Sequence, residues 1–159
     1  FAFNQQQTNG DGDEVLPTVT SVLCTDIGTS LVIDFGTDES QPLIEKCVQD
    51  FEGNSWDLFE AAGVGVTGTE KYPVGFVCRI QNFPAESDEP CRDMPDTSVG
   101  SWAYFVAAAG ASDWQYSTWG AATHKPACGT AEAWLFKLPS EDIEEPPLNQ
   151  PKTSVCSTN

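Results

Sequence analysis

The chain has one histidine, His124, so any Ser/His/Asp chemistry would have to run through it: an imidazole is the side chain that takes a hydroxyl proton near neutral pH. It stands in Ala121-Ala122-Thr123-His124-Lys125-Pro126, which reads as an exposed loop, and no Gly-x-Ser-x-Gly elbow accompanies it. A merely solvated histidine is the plainer reading, and any role it has would be to contact a ligand or fill one metal position. The six cysteines, Cys24, Cys47, Cys78, Cys91, Cys128 and Cys156, include no CxxC pair, and with a single histidine they do not compose a zinc site. Disulfides fit them better. Six cysteines allow about 15 full pairings. Nearest-neighbour order, Cys24 with Cys47, Cys78 with Cys91 and Cys128 with Cys156, closes three modest loops, each stabilising by roughly 3 kcal/mol through its constraint on the unfolded chain.

The aromatic set Trp102, Tyr104, Trp114, Tyr116, Trp119 and Trp134 is the most unusual feature. Trp102 and Tyr104 share one face of a strand, and Trp114 and Tyr116 one face of another, so cross-strand pairing in a sheet core is the plainer reading. One helix covers only one sheet face well, however. Rings on the other face could stack on a planar ligand or receive a partner. Two acidic stretches invite a calcium reading. Asp11, Asp13 and Glu14 lack the later ligands of an EF-hand loop. Glu86 to Asp93 reads as a solvated charge run sooner than a weak calcium site. Gly63-Val64-Gly65-Val66-Thr67-Gly68 has no following Lys and cradles no phosphate. No residue is assigned a catalytic role and none a metal.

These residues must be held by short elements. Ser30 to Phe35, β-branched between Gly28 and Gly36, predicts a strand. Asn54 to Gly63 predicts a short helix capped by Asn54 or Ser55, with Asp57 in its first turn, Gly63 at its end, and Trp56, Phe59 and Ala62 or Gly63 on one side. Val74, Phe76, Cys78 and Ile80 alternate with a period of two and predict a further strand. After a loop from Gln81 to Gly100, three aromatic strands are expected at Ser101 to Ala108, Asp113 to Trp119 and Glu132 to Leu138. The first two form a hairpin. The fold class that follows is α+β: a mostly antiparallel, disulfide-stabilised sheet with one short helix packed on it.

With 159 residues and 17.2 kDa the chain is one domain with tails. Residues 1–19 read as an acidic, polar leader or linker, 20–138 as the domain, and 139–159 as an acidic proline-rich tail, extended and solvated but tied back by Cys156. Against 7 Lys and Arg stand 24 Asp and Glu, a formal charge of -17. That balance excludes nucleic-acid partners, which need a basic surface, and repels anionic lipid headgroups. No apolar run is long enough to span a bilayer, and no signal sequence opens the chain, so a processed, extracellular protein, secreted or held at the cell surface, is expected.

The ordered motifs Leu31 to Phe35, Cys47, Trp56 to Gly63, Val74-Gly75-Phe76-Val77-Cys78-Arg79-Ile80, Pro90-Cys91, Trp102-Ala103-Tyr104-Phe105, Trp114 to Ala121, Lys125-Pro126 and Glu132-Ala133-Trp134-Leu135-Phe136 resemble secreted actinobacterial domains of the DUF4430 type. These are similar to the C-terminal domain of transcobalamin. The resemblance covers residues 20 to 138 and implies a β-grasp-like arrangement with a corrinoid as a candidate ligand. By that analogy Trp102, Tyr104, Trp114, Tyr116 and Trp119 would lie over the upper face of a corrin ring. Two departures stand out: Phe105-Val106 where relatives tend to carry Trp-His, and Cys128 in place of a Pro before the last strand. The functional expectation is a non-catalytic extracellular module that binds a corrinoid or another planar ligand through an aromatic sheet surface, with His124 as a further contact. The alternative is a structural or adhesive domain whose partner is a surface protein. A hydrolase centred on His124 is a third class, with no substrate nominated.

Overall fold

The computed structural model describes residues 16–156. Most of the leader expected over 1–19, including Asp11, Asp13 and Glu14, lies outside these residues. Within them run strands β1 (Thr18–Thr20), β2 (Thr29–Asp34) and β3 (Ile44–Gln49), helix α1 (Ser55–Ala61), and strands β4 (Val66–Thr67), β5 (Arg79–Ile80), β6 (Ser101–Ala107), β7 (Gln115–Tyr116) and β8 (Ala131–Lys137). Six strands form one sheet in the order β1-β3-β2-β8-β6-β7, and β4 pairs with β5 apart from it. β2 and β8 run parallel at the centre, with Ile33 opposite Trp134, and the other pairs are antiparallel. The hairpin of β2 and β3, the helix, and the last strand β8 laid parallel beside β2 make a β-grasp-like arrangement, so the α+β expectation holds. All three disulfides follow nearest-neighbour order.

Local chemistry explains the elements. Asn54 caps α1: its side chain accepts from the Asp57 N–H at 2.8 Å, and the Asp57 carboxylate accepts from the Asn54 N–H at 3.3 Å. Gly28 has φ 98°, and a Cβ there would lie 2.9 Å from the Cys24 sulfur, so the first disulfide and the start of β2 require glycine. β1 and β3 carry no strong sequence signal. Only Cys47 and Val48 of β3 are buried, and β1 is exposed throughout. Because β1 pairs with β3, the leader boundary falls inside a strand: Thr18 and Val19 belong to the sheet.

The alternation from Val74 to Ile80 is a correction. Only Arg79 and Ile80 are strand; residues 73–75 turn, Gly75 has φ 97°, and Val74 is 62% exposed. Pro73 donates no N–H and Gly75 takes a left-handed conformation, which together break the ladder that a period of two suggests. The strand expected from Asp113 to Trp119 shrinks likewise to Gln115 and Tyr116.

Two cores flank the sheet. Leu31, Ile33, Trp102, Tyr104, Trp134 and Phe136 face α1, where Leu58 and Phe59 are fully buried. Val32, Ala103, Phe105, Ala133 and Leu135 face the other way, with Leu23, Trp114, Tyr116 and Ile143 packed on them. The chain beyond β8 therefore covers the second face. Trp114 Nε1 donates to the Asn149 carbonyl at 2.8 Å, Thr153 Oγ1 to Ala111 at 2.6 Å, and the Ser154 N–H to Gly129 at 2.9 Å. Residues 139–156 remain largely exposed and are tied back by the bond between Cys128 and Cys156, as expected, but they also pack on the sheet and so form a strap.

Candidate ligand-binding recess at Trp119 and His124

The six residues expected to form a ligand surface do not share one. Trp102 (8% exposed) and Tyr104 (4%) project into the helix-side core, where Tyr104 stacks on Trp134 with centroids 4.2 Å apart and planes 4° apart. Trp114 and Tyr116 lie across the sheet on the opposite face. A sheet side chain alternates faces with each residue, so Tyr116, paired with Phe105, cannot join Tyr104. Trp119 and His124 come together beyond the end of β7. Trp119 is 61% exposed, and its ring stands at 90° to the imidazole of His124 with centroids 5.8 Å apart. They border an open recess of about 280 Å³ lined also by Val106, Gln115 and Tyr116.

His124 is placed by the helix. The first N–H groups of any helix lack internal partners; here Ser55 N–H donates to the His124 carbonyl at 2.9 Å and Trp56 N–H to Ala121 at 3.0 Å. The Asn54 side chain adds a bond to the Ala122 carbonyl at 3.3 Å. Behind the imidazole lies Glu132, wholly buried in β8 on the same face as Trp134 and Phe136. Tyr104 OH lies 2.7 Å from Ser55 Oγ, which donates to Glu132 Oε2 at 2.6 Å; His124 Nε2 is 3.4 Å from the same oxygen. Glu132 Oε1 has no partner among the described residues.

Burial governs the charges of this group. Loss of hydration pushes the Glu132 carboxyl up to about 7, against the pull of the Ser55 and Tyr104 hydroxyls. Burial lowers the His124 imidazole, and burial together with the Glu132 charge raises the Tyr104 phenol. A close ion pair would move Glu132 and His124 in the opposite directions. At 3.4 Å their attraction is weaker than the cost of desolvation, so each is held toward its neutral form.

Sequence reasoning missed Ser55 and Glu132. The signal for Glu132 was its phase: one acid in Ala-Glu-Ala-Trp-Leu-Phe, two residues from Trp134 and four from Phe136, must share their buried face. The loop histidine read as merely solvated is in fact three-quarters buried against that acid.

The arrangement is not a hydrolytic triad. That chemistry needs the imidazole between hydroxyl and acid, whereas here Glu132 lies between Ser55 and His124, and Ser55 is 1% exposed. Cys78, Glu89 and Cys91 have metal-ligand spacing, but both sulfurs are committed to a disulfide. Glu89 itself is buried and accepts from the Cys91 and Asp96 N–H groups at 2.9 and 2.5 Å, so the acidic loop is built around one interior carboxylate instead of being solvated throughout. A wider hollow of about 440 Å³ beside Trp56 and Glu60 is bordered by Asp57, whose carboxylate the helix cap occupies.

The chain matches no family model, no curated protein and no solved structure.

Proposed function

We propose that the chain is an extracellular, non-catalytic binding module whose contact surface is the recess between Trp119 and His124. The observation that carries this reading is the exposed indole standing perpendicular to a three-quarters-buried imidazole over an open hollow, while the other strand aromatics are buried or partly buried against the core. An exposed tryptophan beside a recess is a stacking platform for a planar group. The volume, about 280 Å³, falls just below the range of roughly 300–1,000 Å³ typical of pockets that enclose a small molecule. The recess would therefore take the edge or one face of a planar ligand. A corrinoid, the ligand that the transcobalamin-like motifs suggest, would meet the protein at Trp119 and His124 instead of across Trp102 and Tyr104.

Three disulfides support an oxidising, extracellular setting, and among the described residues no helix is long and apolar enough to cross a membrane. The direct experiment is retention of hydroxocobalamin or cobinamide after desalting, read from the visible spectrum. Stoichiometric colour that Trp119→Ala removes supports the module; a colourless protein at concentrations where micromolar binding would show removes the corrinoid.

The second reading, a surface adhesion domain, rests on a different feature. Tyr72 and Val74 are 44% and 62% exposed, and their turn approaches the loop after Trp119 so closely that a Cβ on Gly75 would lie 3.1 Å from the Ala122 methyl. A protein partner covering that strip would shield Val74 and Trp119 together.

A further inference from the structure

We infer that the recess at Trp119 receives a neutral saccharide, one pyranose ring lying with its C–H face on the indole and its hydroxyls against the polar rim. The inference rests on the binding reading above and names the class of ligand that the recess would take. Three observations carry it. The first is the chemistry of the rim. Around Trp119 stand Gln115, Tyr116, Ser117, Thr118 and His124, which offer a carboxamide, three hydroxyls and an imidazole. Gln115 and Thr118 are exposed, and the Ser117 hydroxyl, which accepts from the Trp119 N–H at 3.1 Å, keeps its own hydrogen to donate. His124 Nε2 faces Glu132 at 3.4 Å, which leaves Nδ1 as the nitrogen not so engaged.

The second observation is the lack of charge. The hollow beside Trp56 is bordered by Asp57 and Glu60, and one beside Pro73 by Glu70, Arg79 and Glu86. Among the described residues, those lining the Trp119 recess include no Asp, Glu, Lys or Arg, and burial holds His124 toward its neutral form. Such a site has no counter-charge with which to repay the dehydration of an ion. The formal charge of -17 on the whole chain further disfavours an anion. The third is shape. The indole stands at 90° to the imidazole, so a ring lying parallel to the indole turns its rim, not its face, toward His124. At about 280 Å³ and open to water, the recess suits one ring of a chain whose other rings remain solvated.

A pyranose with equatorial hydroxyls has this two-sided character: axial C–H groups on its faces and hydroxyls around its edge. Laying a C–H face on the indole removes apolar area of both from water, and the rim exchanges water for protein partners at small net gain. The loop that carries His124 is already anchored by the Ser55 and Trp56 N–H groups, so that part of the rim is in place before the ligand arrives. Affinity for a single ring is accordingly expected in the millimolar range.

The test uses cellotetraose, a neutral β-linked chain of four glucose rings, and the corresponding glucuronic acid tetramer, which carries carboxylates in place of the hydroxymethyl groups. Both are titrated into the oxidised chain, with cobinamide in parallel, and followed by the Trp119 indole N–H resonance and by saturation transfer to the ligand. The expected result is a saturable Trp119 shift with cellotetraose and transfer to its ring C–H protons. Trp119→Ala should abolish the transfer, Gln115→Ala and Thr118→Ala should each weaken binding about threefold, and the acidic tetramer should bind about tenfold more weakly. Cellotetraose that leaves Trp119 unmoved while cobinamide moves it overturns the saccharide and leaves the recess standing as a site for another planar ligand. Equal binding of the two tetramers, or transfer that survives Trp119→Ala, also overturns the saccharide inference. Failure of both cellotetraose and cobinamide to move Trp119 overturns the inference and the recess reading together.

Discussion

Glu132 is a carboxyl group that folding removes from water and gives only hydroxyl partners and a poorly placed imidazole. Its titration is therefore a property of the fold. The carboxyl ionises near 4.5 when solvated and near 7 in place, so between those values the folded chain holds a proton that the unfolded chain has lost. Stability from this group is complete below about pH 4.5 and disappears as pH rises through 7, a loss of roughly 3 kcal/mol at most. Glu132→Gln should abolish that slope in urea midpoints measured from pH 5 to 8.5 and leave the variant more stable than the parent at the alkaline end. His124 works in the other sense. Its lowered imidazole favours the neutral ring, so its contribution is present above about 6.5 and is lost as pH falls through the depressed value. His124→Gln should reduce the loss of stability on acidification over that range. Trp119 is different again: more than half of it is in water, so Trp119→Ala should change stability by no more than about 0.5 kcal/mol while removing planar-ligand binding.

At the scale of elements, the start of α1 holds the loop that carries His124, and the strap covers the second face of the sheet. Asn54 caps the helix and ties its first turn to the loop that carries His124, so Asn54→Ala should cost about 1 kcal/mol in chemical denaturation and loosen that loop. The strap is closed by a disulfide with a sequence separation of 28. Replacing Cys128 and Cys156 together by Ser should cost between about 3 and 4 kcal/mol and expose Phe105 and Leu135, read as dye binding by the apolar face. How much of this was legible followed from where a signal was local. β2, α1, β6 and β8 are written in β-branched runs, a capping residue and apolar phase, and they appear within a residue or two of their expected bounds. β1 is exposed throughout and β3 is half-buried, with Glu45 and Lys46 adjacent within it, so no periodicity marks them. The turn at Val74 imitates a strand because alternation is necessary for an edge strand but not sufficient. The closure of the strap was legible in Cys128 and Cys156, but its packing was not: an acidic, proline-rich segment is held through Ile143 and three backbone carbonyls, contacts that depend on the sheet already being formed.

For the whole molecule, the two-sided core decides what is left for function. Among the described residues, a six-stranded sheet with a helix on one face and a strap on the other leaves no free aromatic face, which is why the proposed contact surface is placed at the rim beyond β7. The formal charge of -17 carried by the chain as a whole favours the approach of cationic ligands over anionic ones, an effect that weakens as salt screens it. The central claim, that binding occurs at Trp119 and His124 and not across the sheet, meets its most direct test in the indole N–H resonances of the five tryptophans, assigned by single Trp→Phe substitutions and followed during titration with cobinamide. The account predicts that the Trp119 resonance moves or broadens while those of Trp102 and Trp134 stay in place. Perturbation led by Trp102 and Trp134, or ligand uptake with Trp119 unmoved, would contradict it.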